Sequence, residues 1–418
     1  MGAELLTIGT ELLLGQIVDT NASWMSLRLA EEGIDVFYKS TVGDNWGRIE
    51  AAIRLAVSRA DVLIMTGGLG PTEDDLTREV LAAVLNRPLH LDTAVLRHIE
   101  ERFARRRIAM AENNRKQAMV PEGAKVLHNP RGTAPGLLIR SEGRVFVCMP
   151  GVPSEMKPML LEQVIPQIRE VFGIRSRIVS RVLKTCGISE STLDQRIGDY
   201  FREMQNPTIG VLAHAGEIHV RLTCKGEDPA EIAVRLDDLE QKIRERLGHL
   251  IFGRDDEKLE AIVGRLLRER KATLAVAESC TGGLVASRLT DIAGSSDYFD
   301  RGVVTYSPAA KQQLLGVPPD MIRAHGLVSV EVARAMAAGI RGASGTALGL
   351  ATTGIAGPSG GTPEKPVGLV CVGLSWEGGE AAREFRLLGD REQVKYRGAQ
   401  MALEMLRRHL LGIPMDEV

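Results

Sequence analysis

The sequence is short of aromatic residues, of net charge and of long apolar runs. Phe, Trp and Tyr make up 4% of 418 residues, which leaves little for a base-stacking platform. Lys plus Arg is 52 and Asp plus Glu is 54, a formal net charge of −2, so the electrostatic footprint of a dedicated nucleic-acid binder is missing. The longest uncharged stretch, between Arg341 and Glu364, is rich in Gly, Thr and Pro and lacks the apolar content of a spanning helix, so no membrane association is expected. Cysteines are few and widely spaced. Cys148, Cys186, Cys224, Cys280 and Cys371 form no C-x-x-C, which argues against a disulfide framework or zinc ribbon and fits a reducing cytoplasm. The opening MGAELLTIGTELLLG carries acids and no basic segment, unlike a secretory signal. A cytoplasmic protein is expected.

Glycine is in excess: 44 of 418 residues, against a usual share of about 7%. The rest of the composition is ordinary, and at about 150 residues per domain the length suggests roughly three domains. The patterning predicts an α/β fold: two three-layer α/β domains joined by a small α+β domain. Domain one, residues 1–172, alternates strand and helix: Ala3–Ile8, Asn21–Glu32, Ile34–Thr41, Trp46–Arg59 and Val62–Met65. Helical stretches at Thr93–Arg106 and Met110–Met119, strands at Gly136–Ile139 and Arg144–Cys148, and one helix from Pro153 to about Val171 complete it. Residues 173–254 read as the α+β unit, with residues 253–256 as a linker. Residues 258–418 return to α/β alternation, including a strand at Gly302–Tyr306.

Thr66-Gly67-Gly68-Leu69-Gly70-Pro71-Thr72-Glu73-Asp74-Asp75-Leu76-Thr77 follows a buried strand and opens a helix, where ligands collect in open α/β sheets. Its glycines let backbone approach a phosphate, and the helix start offers unpaired N–H groups. It is neither a G-x-G-x-x-G fingerprint nor a Walker loop. Three consecutive acids would repel a phosphate, and a divalent cation between them would resolve the conflict. Acids in a first helical turn also have a purely structural use against the helix dipole. The loops Gly9-Thr10-Glu11, residues 129–136 and residues 149–155 also adjoin strands, which favours one shared crevice.

In the C-terminal part, Ala277-Glu278-Ser279-Cys280-Thr281-Gly282-Gly283 ends a strand and opens a helix. Ser279 is placed to present a hydroxyl, and the N–H groups of residues 280–283 could form an oxyanion pocket. Serine needs a base. No histidine pattern supplies one, whereas Lys311, one turn after Ser307-Pro308, can lose its proton if desolvated. Tyr306 could orient it. Cys280 is a competing nucleophile as a thiolate, and Ser279 could simply cap the helix. A third junction, residues 352–361, supplies more hydroxyls and backbone donors.

TIGTELLLGQIVDTN, GGLGPTEDDLT, NPRGTAPG and MPGVPSEM together resemble the N-terminal half of the CinA family, which is similar to molybdopterin-binding domains. The resemblance implies metal-dependent hydrolysis of ADP-ribose to AMP and ribose 5-phosphate. Carried over, Gly67, Gly68, Gly70, Thr77 and Arg131 would hold substrate. Asp74 and Asp75 would be catalytic, and Asp74, Asp75 and Glu11 would face a divalent metal ion, with a monovalent cation as a further option. AESCTGG, VVTYS-x-x-AK, TTGIAGPSGG-x-x-x-KPVG and GDREQVKYRGA resemble the C-terminal half of the same family, which also exists alone as nicotinamide mononucleotide deamidase. This implies cofactor-free amide hydrolysis with Ser279 as nucleophile, Lys311 as base, and Tyr306 and Thr353 assisting. Thr281, Gly282, Gly283, Gly354, Gly357, Arg391 and Lys395 would then bind the nucleotide. Pro308 stands where the family usually has Asn, and Lys395 where Arg is frequent. The family also implies a homodimer and an association with competence and DNA damage. Two alternatives stand beside the bifunctional reading: a deamidase with an inert N-terminal scaffold, and a regulatory binding protein.

In the middle unit, alternation puts Glu217 and His219 on one strand face, with His214 nearby. A packed or solvated strand is the stronger reading there, a metal pair the weaker. The run Arg102, Arg105, Arg106 and Arg107 reads as a solvated helical face, and Met156, Met159, Met401 and Met405 as core.

Overall fold

A computed structural model describes residues 1–415. The chain forms two compact units, residues 1–179 with 225–232, and residues 180–224 with residue 233 onward.

The first unit is built on a six-stranded sheet. Its order is Asp35–Val42, Gly2–Ile8, Val62–Thr66, Arg144–Met149, Gly136–Ser141 and Lys125–Leu127. The first four run parallel, Gly136–Ser141 runs against them and Lys125–Leu127 pairs antiparallel to Gly136–Ser141, so the sheet is mixed rather than wholly parallel. Gly2–Ile8 and Val62–Thr66 are buried along their full length, because helices cover both faces. Met25, Leu29, Met156 and Ile168 fill one side, and Ile49, Ile53, Val80 and Leu81 the other. The expected helix from Pro153 is interrupted: α-helix Pro153–Met159, a wide π turn Leu160–Val164, then α-helix Ile165–Phe172. Pro166 has no N–H to donate one turn back, which ends the regular ladder there. The expected helix over residues 110–119 is a 3₁₀ turn, Glu112–Ala118.

The middle segment carries strands Thr208–His214, Glu217–Gly226, Arg177–Thr185 and Ile251–Arg254, in that sheet order. Burial alternates along Glu217–Gly226, with Ile218, Val220, Leu222 and Cys224 inward. The expected linker is half strand: Gly253 pairs with Lys184 and Arg254 with Leu183. Polar composition there reflects an edge strand rather than a tether.

The C-terminal sheet has five strands in the order Phe299–Val304, Leu274–Glu278, Leu348–Gly354, Leu369–Trp376 and Gly379–Arg386. The first three are parallel, Leu369–Trp376 runs against them and Gly379–Arg386 pairs antiparallel to Leu369–Trp376. Leu259–Glu269, Leu284–Thr290 and Arg391–Leu411 cover one face, and Pro308–Leu315 and Val330–Ser344 the other. Met401 and Met405 are core, as their spacing suggests. The strand expected at 302–306 stops at Val304, so Tyr306 lies in the loop beyond it. No helix among the described residues is long and apolar enough to cross a membrane.

Candidate active sites

The N-terminal cleft, about 580 Å³, opens at the carboxyl ends of the parallel strands. Gly67, Gly68, Gly70, Asp74, Asp75 and Glu11 all line it, as do residues of the loops at 133–134 and 150–155. Gly67 has φ 99°, and a Cβ there would overlap the Ile8 carbonyl oxygen, so only glycine fits between the two strand ends. Thr77, expected to bind substrate, is instead fully buried. Its hydroxyl donates to Gly67 O at 2.8 Å, which fixes the loop. Arg131 does not line the cleft; it is exposed, and its guanidinium donates to Ser154 O at 3.0 Å. Asn129, the first residue of the NPRGTAPG stretch, knits these loops from a buried position: its amide donates to Ala134 O and to Glu155, both at 2.7 Å.

Six carboxylates line the cleft, and no Lys or Arg is among the lining residues. Four are engaged. Asp19 caps helix Thr20–Glu31, Asp44 takes the Thr10 N–H and hydroxyl, Glu155 takes Asn129, and Asp75 takes the Thr72 N–H at 2.9 Å as well as its hydroxyl. Glu11 and Asp74 remain exposed. The Asp74 carboxyl is held below its ordinary value, chiefly by the Thr72 hydroxyl beside both acids, with Lys116 adding to the effect. Among the described residues no three His, Cys, Asp or Glu side chains converge into a metal cluster, so Glu11, Asp74 and Asp75 line one cleft without forming a preformed cage. This donor set still fits a hard cation of the magnesium type, which is held by one or two carboxylates together with water and substrate phosphates.

The C-terminal site is assembled at the end of the interior strand Leu274–Glu278. Ser279 is 8% exposed and Lys311 is 1% exposed. Lys311 Nζ lies 3.1 Å from Ser279 Oγ and donates to Thr305 O at 2.6 Å. Ser307 caps the lysine's helix through Ala310 N–H, and Pro308 occupies the first turn, so the backbone itself aims Lys311. Burial pushes the Lys311 pKa below its ordinary value. Burial also pushes the Cys280 thiol up to about 12, which keeps it protonated and a poor nucleophile near neutral pH.

The loop after Ser279 is held by Glu278, to which the sequence pattern assigns no role. Its buried carboxylate accepts from the N–H groups of Gly283 (2.9 Å), Val285 (3.2 Å) and Ala286 (2.9 Å), which caps helix Leu284–Thr290. Gly283 and Gly282 therefore do not complete the expected oxyanion pocket: the Gly282 N–H donates to Ser279 O at 3.2 Å. Of the N–H groups of residues 280–283, that leaves those of Cys280 and Thr281. The hydroxyl of Thr281 pairs with that of Thr352 at 2.7 Å inside the core.

Three further expectations change. Tyr306 is 60% exposed and bonds Arg391 at 3.1 Å, not Lys311. Arg391 also donates to Gly357 O at 2.7 Å, so it clasps two loops rather than standing free for a phosphate. Thr353 donates to Leu327 O at 2.9 Å and so orders residues 325–328, whose carbonyls also take Lys365. Gly354 allows close packing, since a Cβ there would lie 2.9 Å from Cys280 Sγ. A cleft of about 940 Å³ runs from Thr281, Gly282 and Gly283 to Arg391, Lys395 and Tyr396. Ser279 and Lys311 are not among its lining residues, although Ser279 lies two positions before Thr281, which is. In the middle segment, Glu217 bonds His219 at 2.8 Å and the His214 and His219 rings stack at 4.0 Å, the packed-strand arrangement.

Two mixed α/β sheets with clefts at their strand ends, one lined by carboxylates and the other next to a loop that follows a buried Ser–Lys pair, define a protein of two α/β units with a small α+β segment between them in sequence. Residues 4–170 match the model of a probable molybdopterin binding domain, residues 180–253 that of the damage-inducible protein CinA KH domain, and residues 256–410 that of the CinA C-terminal domain. The chain is 50% identical to a putative competence-damage inducible protein of Symbiobacterium thermophilum over 423 residues, covering 99% of each chain. It is 50% identical to one of Moorella thermoacetica, covering 98% of this chain and 99% of the other. A solved structure, the protein CinA with unknown function from Thermoplasma acidophilum, is 32% identical and covers 41% of this chain and 97% of its own, with a TM-score of 0.37. The chain belongs to the CinA family.

Proposed function

We propose that the protein is a bifunctional pyridine-nucleotide salvage hydrolase. The C-terminal site hydrolyses the amide of nicotinamide mononucleotide to nicotinate mononucleotide and ammonia. The N-terminal site hydrolyses ADP-ribose to AMP and ribose 5-phosphate. The observation that carries the first activity is the buried Ser279–Lys311 pair at 3.1 Å. In its neutral form, Lys311 takes the Ser279 proton as Oγ attacks the amide carbon. The proton passes to the departing ammonia, and water attack on the ester intermediate then releases the acid. The N–H groups of Cys280 and Thr281 face the developing oxyanion. The acidic lining supports the second activity. A pyrophosphate entering a cleft that offers carboxylates and no cationic side chain needs a cation. Glu11 and Asp74 would hold it, and it would neutralise phosphate charge there.

Incubating the full chain with each substrate, with and without magnesium and chelator, tests both activities. Chelator should remove AMP formation and leave ammonia release within about twofold. Asp74→Asn should lower AMP formation by roughly 10- to 100-fold, the effect typical of perturbing a metal site. Unchanged turnover would leave Asp74 as a helix-start residue. A binding protein tied to competence or DNA damage is the second reading. It rests on the KH domain match and the relatives' names. Salt-dependent retention of DNA without turnover of either substrate would favour it.

Lys311 also sets a pH limb. Its pKa is lowered from 10.5 by burial, and only the neutral amine is a base. Ammonia release should therefore rise with pH through the folded-state pKa, to a plateau reached below the range of an exposed lysine. Initial rates across the alkaline range check this. A rate that falls through the limb, or a midpoint at or above 10.5, contradicts the assignment.

A further inference from the structure

The C-terminal cleft is not made by the C-terminal segment alone. Ala215, at the tip of the hairpin between strands Thr208–His214 and Glu217–Gly226, lines it together with Gly282, Ser287, Lys395 and Tyr396. The tip is seated by specific contacts. Gly216 has φ 78°, and a Cβ there would lie 3.2 Å from Gln400 Cβ and Cγ, so the turn rests directly on that helix. Cys186 Sγ donates to Gly216 O at 3.5 Å. Behind the tip a buried polar chain continues: Glu217 Oε1 accepts from Gln400 Nε2 at 2.9 Å, and Gln400 Oε1 accepts from Arg288 at 2.7 Å. Arg288 in turn holds Glu260 at 2.7 Å and lies over the Tyr396 ring, 5.0 Å from its centroid. Gln400 is fully buried, so the hairpin cannot lift without leaving buried groups unpaired.

We infer that the Ala215–Gly216 hairpin tip is a specificity element of the C-terminal site, forming part of the cleft lining that also holds Lys395, a cationic side chain suited to the ligand's phosphate. The inference rests on the proposed deamidase reading for the identity of the ligand. Ser279 and Lys311 lie outside this part of the cleft, so the tip acts on binding and not on the bond that breaks. A residue that touches only the non-reacting half of a substrate should move KM and leave kcat. The middle segment is thereby part of the enzyme's substrate pocket.

Ala215→Trp in the full chain places an indole in the cleft. The expected result is a rise of about tenfold or more in KM for nicotinamide mononucleotide, with kcat within about twofold. Nicotinamide riboside, which lacks the phosphate, should show a KM change of less than about threefold, since its missing group is the one suited to Lys395 in the same lining. Glu217→Met is the second variant. It cuts the tie to Gln400 without filling the cleft and should raise KM for the mononucleotide by roughly three- to tenfold. Unchanged KM in both variants overturns the inference, and so does a fall in kcat at constant KM. Calorimetric binding of nicotinamide mononucleotide to wild type and Ala215→Trp separates the wall from the deamidase reading. Weaker binding to the variant supports the wall even if wild type releases no ammonia; equal binding overturns it.

Discussion

Ser279→Ala should abolish ammonia release from nicotinamide mononucleotide, a loss on the order of 10⁴-fold or more, while ADP-ribose hydrolysis continues at the wild-type rate. Lys311→Met should be nearly as severe, because a nucleophile and its base act as a unit and their losses do not add. The geometry behind both is one contact, Lys311 Nζ to Ser279 Oγ at 3.1 Å, held at both ends by backbone. Thr305 O fixes the amine, and the strand end, with Ser279 N–H donating to Thr352 O at 2.9 Å, fixes the serine. Cys280→Ala should stay within a few-fold of wild type, since its thiol is pushed up to about 12 and offers no nucleophile. Retained deamidation in Ser279→Ala would transfer the role to Cys280. Stability supplies an independent sign. A lysine whose pKa falls on folding makes the native state bind fewer protons than the unfolded chain between the folded-state pKa and 10.5, so stability rises with pH across that window. Below the window the buried ammonium opposes folding. Lys311→Met should therefore raise the thermal unfolding midpoint near neutral pH even as it removes activity. An inactive, less stable variant would show that Lys311 is structural.

The positions of both sites are legible in the sequence because Gly, Pro, Thr and Ser cluster where strands end. Residues 66–77, 277–283 and 352–361 read as ligand loops from their residue types and spacing, and each lies at a strand terminus. The Ser279–Lys311 contact is legible as well, because Ser307-Pro308 fixes a helix start and Lys311 follows by one turn. What each polar side chain does is not. Thr77 and Thr281 are expected to bind substrate and Thr353 to assist catalysis, yet the hydroxyl of each pairs with a loop or core partner. Arg391 and Tyr306 satisfy one another across 85 positions, a pairing no local pattern carries. Glu278 is invisible for the opposite reason. A buried acid at a strand end has no periodicity to mark it, and only the three N–H groups it accepts explain it. The hairpin wall at Ala215 depends on long-range packing alone, and alanine advertises nothing in a sequence.

Glu404→Leu should destabilise the second unit by about 3–5 kcal/mol, the effect of breaking a buried ion pair from one side. Glu404 sits within helix Arg391–Leu411 at 3% exposure, with Arg407 at 3% and Arg408 at 1%. Its two oxygens accept from Arg407 Nε (2.7 Å), Arg407 Nη2 (2.7 Å) and Arg408 Nε (2.8 Å). Removing the carboxylate leaves two guanidinium groups in the core, facing the carbonyls of His249 and Pro414. Neither carbonyl carries a compensating charge. Spacing of three and four residues puts all three side chains on adjacent helical positions, so the cluster forms with the helix and adds little ordering of its own. The same physics predicts an asymmetry. Replacing Glu404, Arg407 and Arg408 together by apolar residues of similar volume should restore much of the loss, because desolvation of all three charges is then avoided. Urea titration followed by tryptophan fluorescence reads both variants through Trp376, whose ring lies 4.4 Å from that of His409 on the same helix as Glu404. A single substitution that shifts the midpoint little would mean that water reaches the arginines. A triple substitution no more stable than the single would mean that the cluster specifies the packing of this helix and does not merely tolerate it.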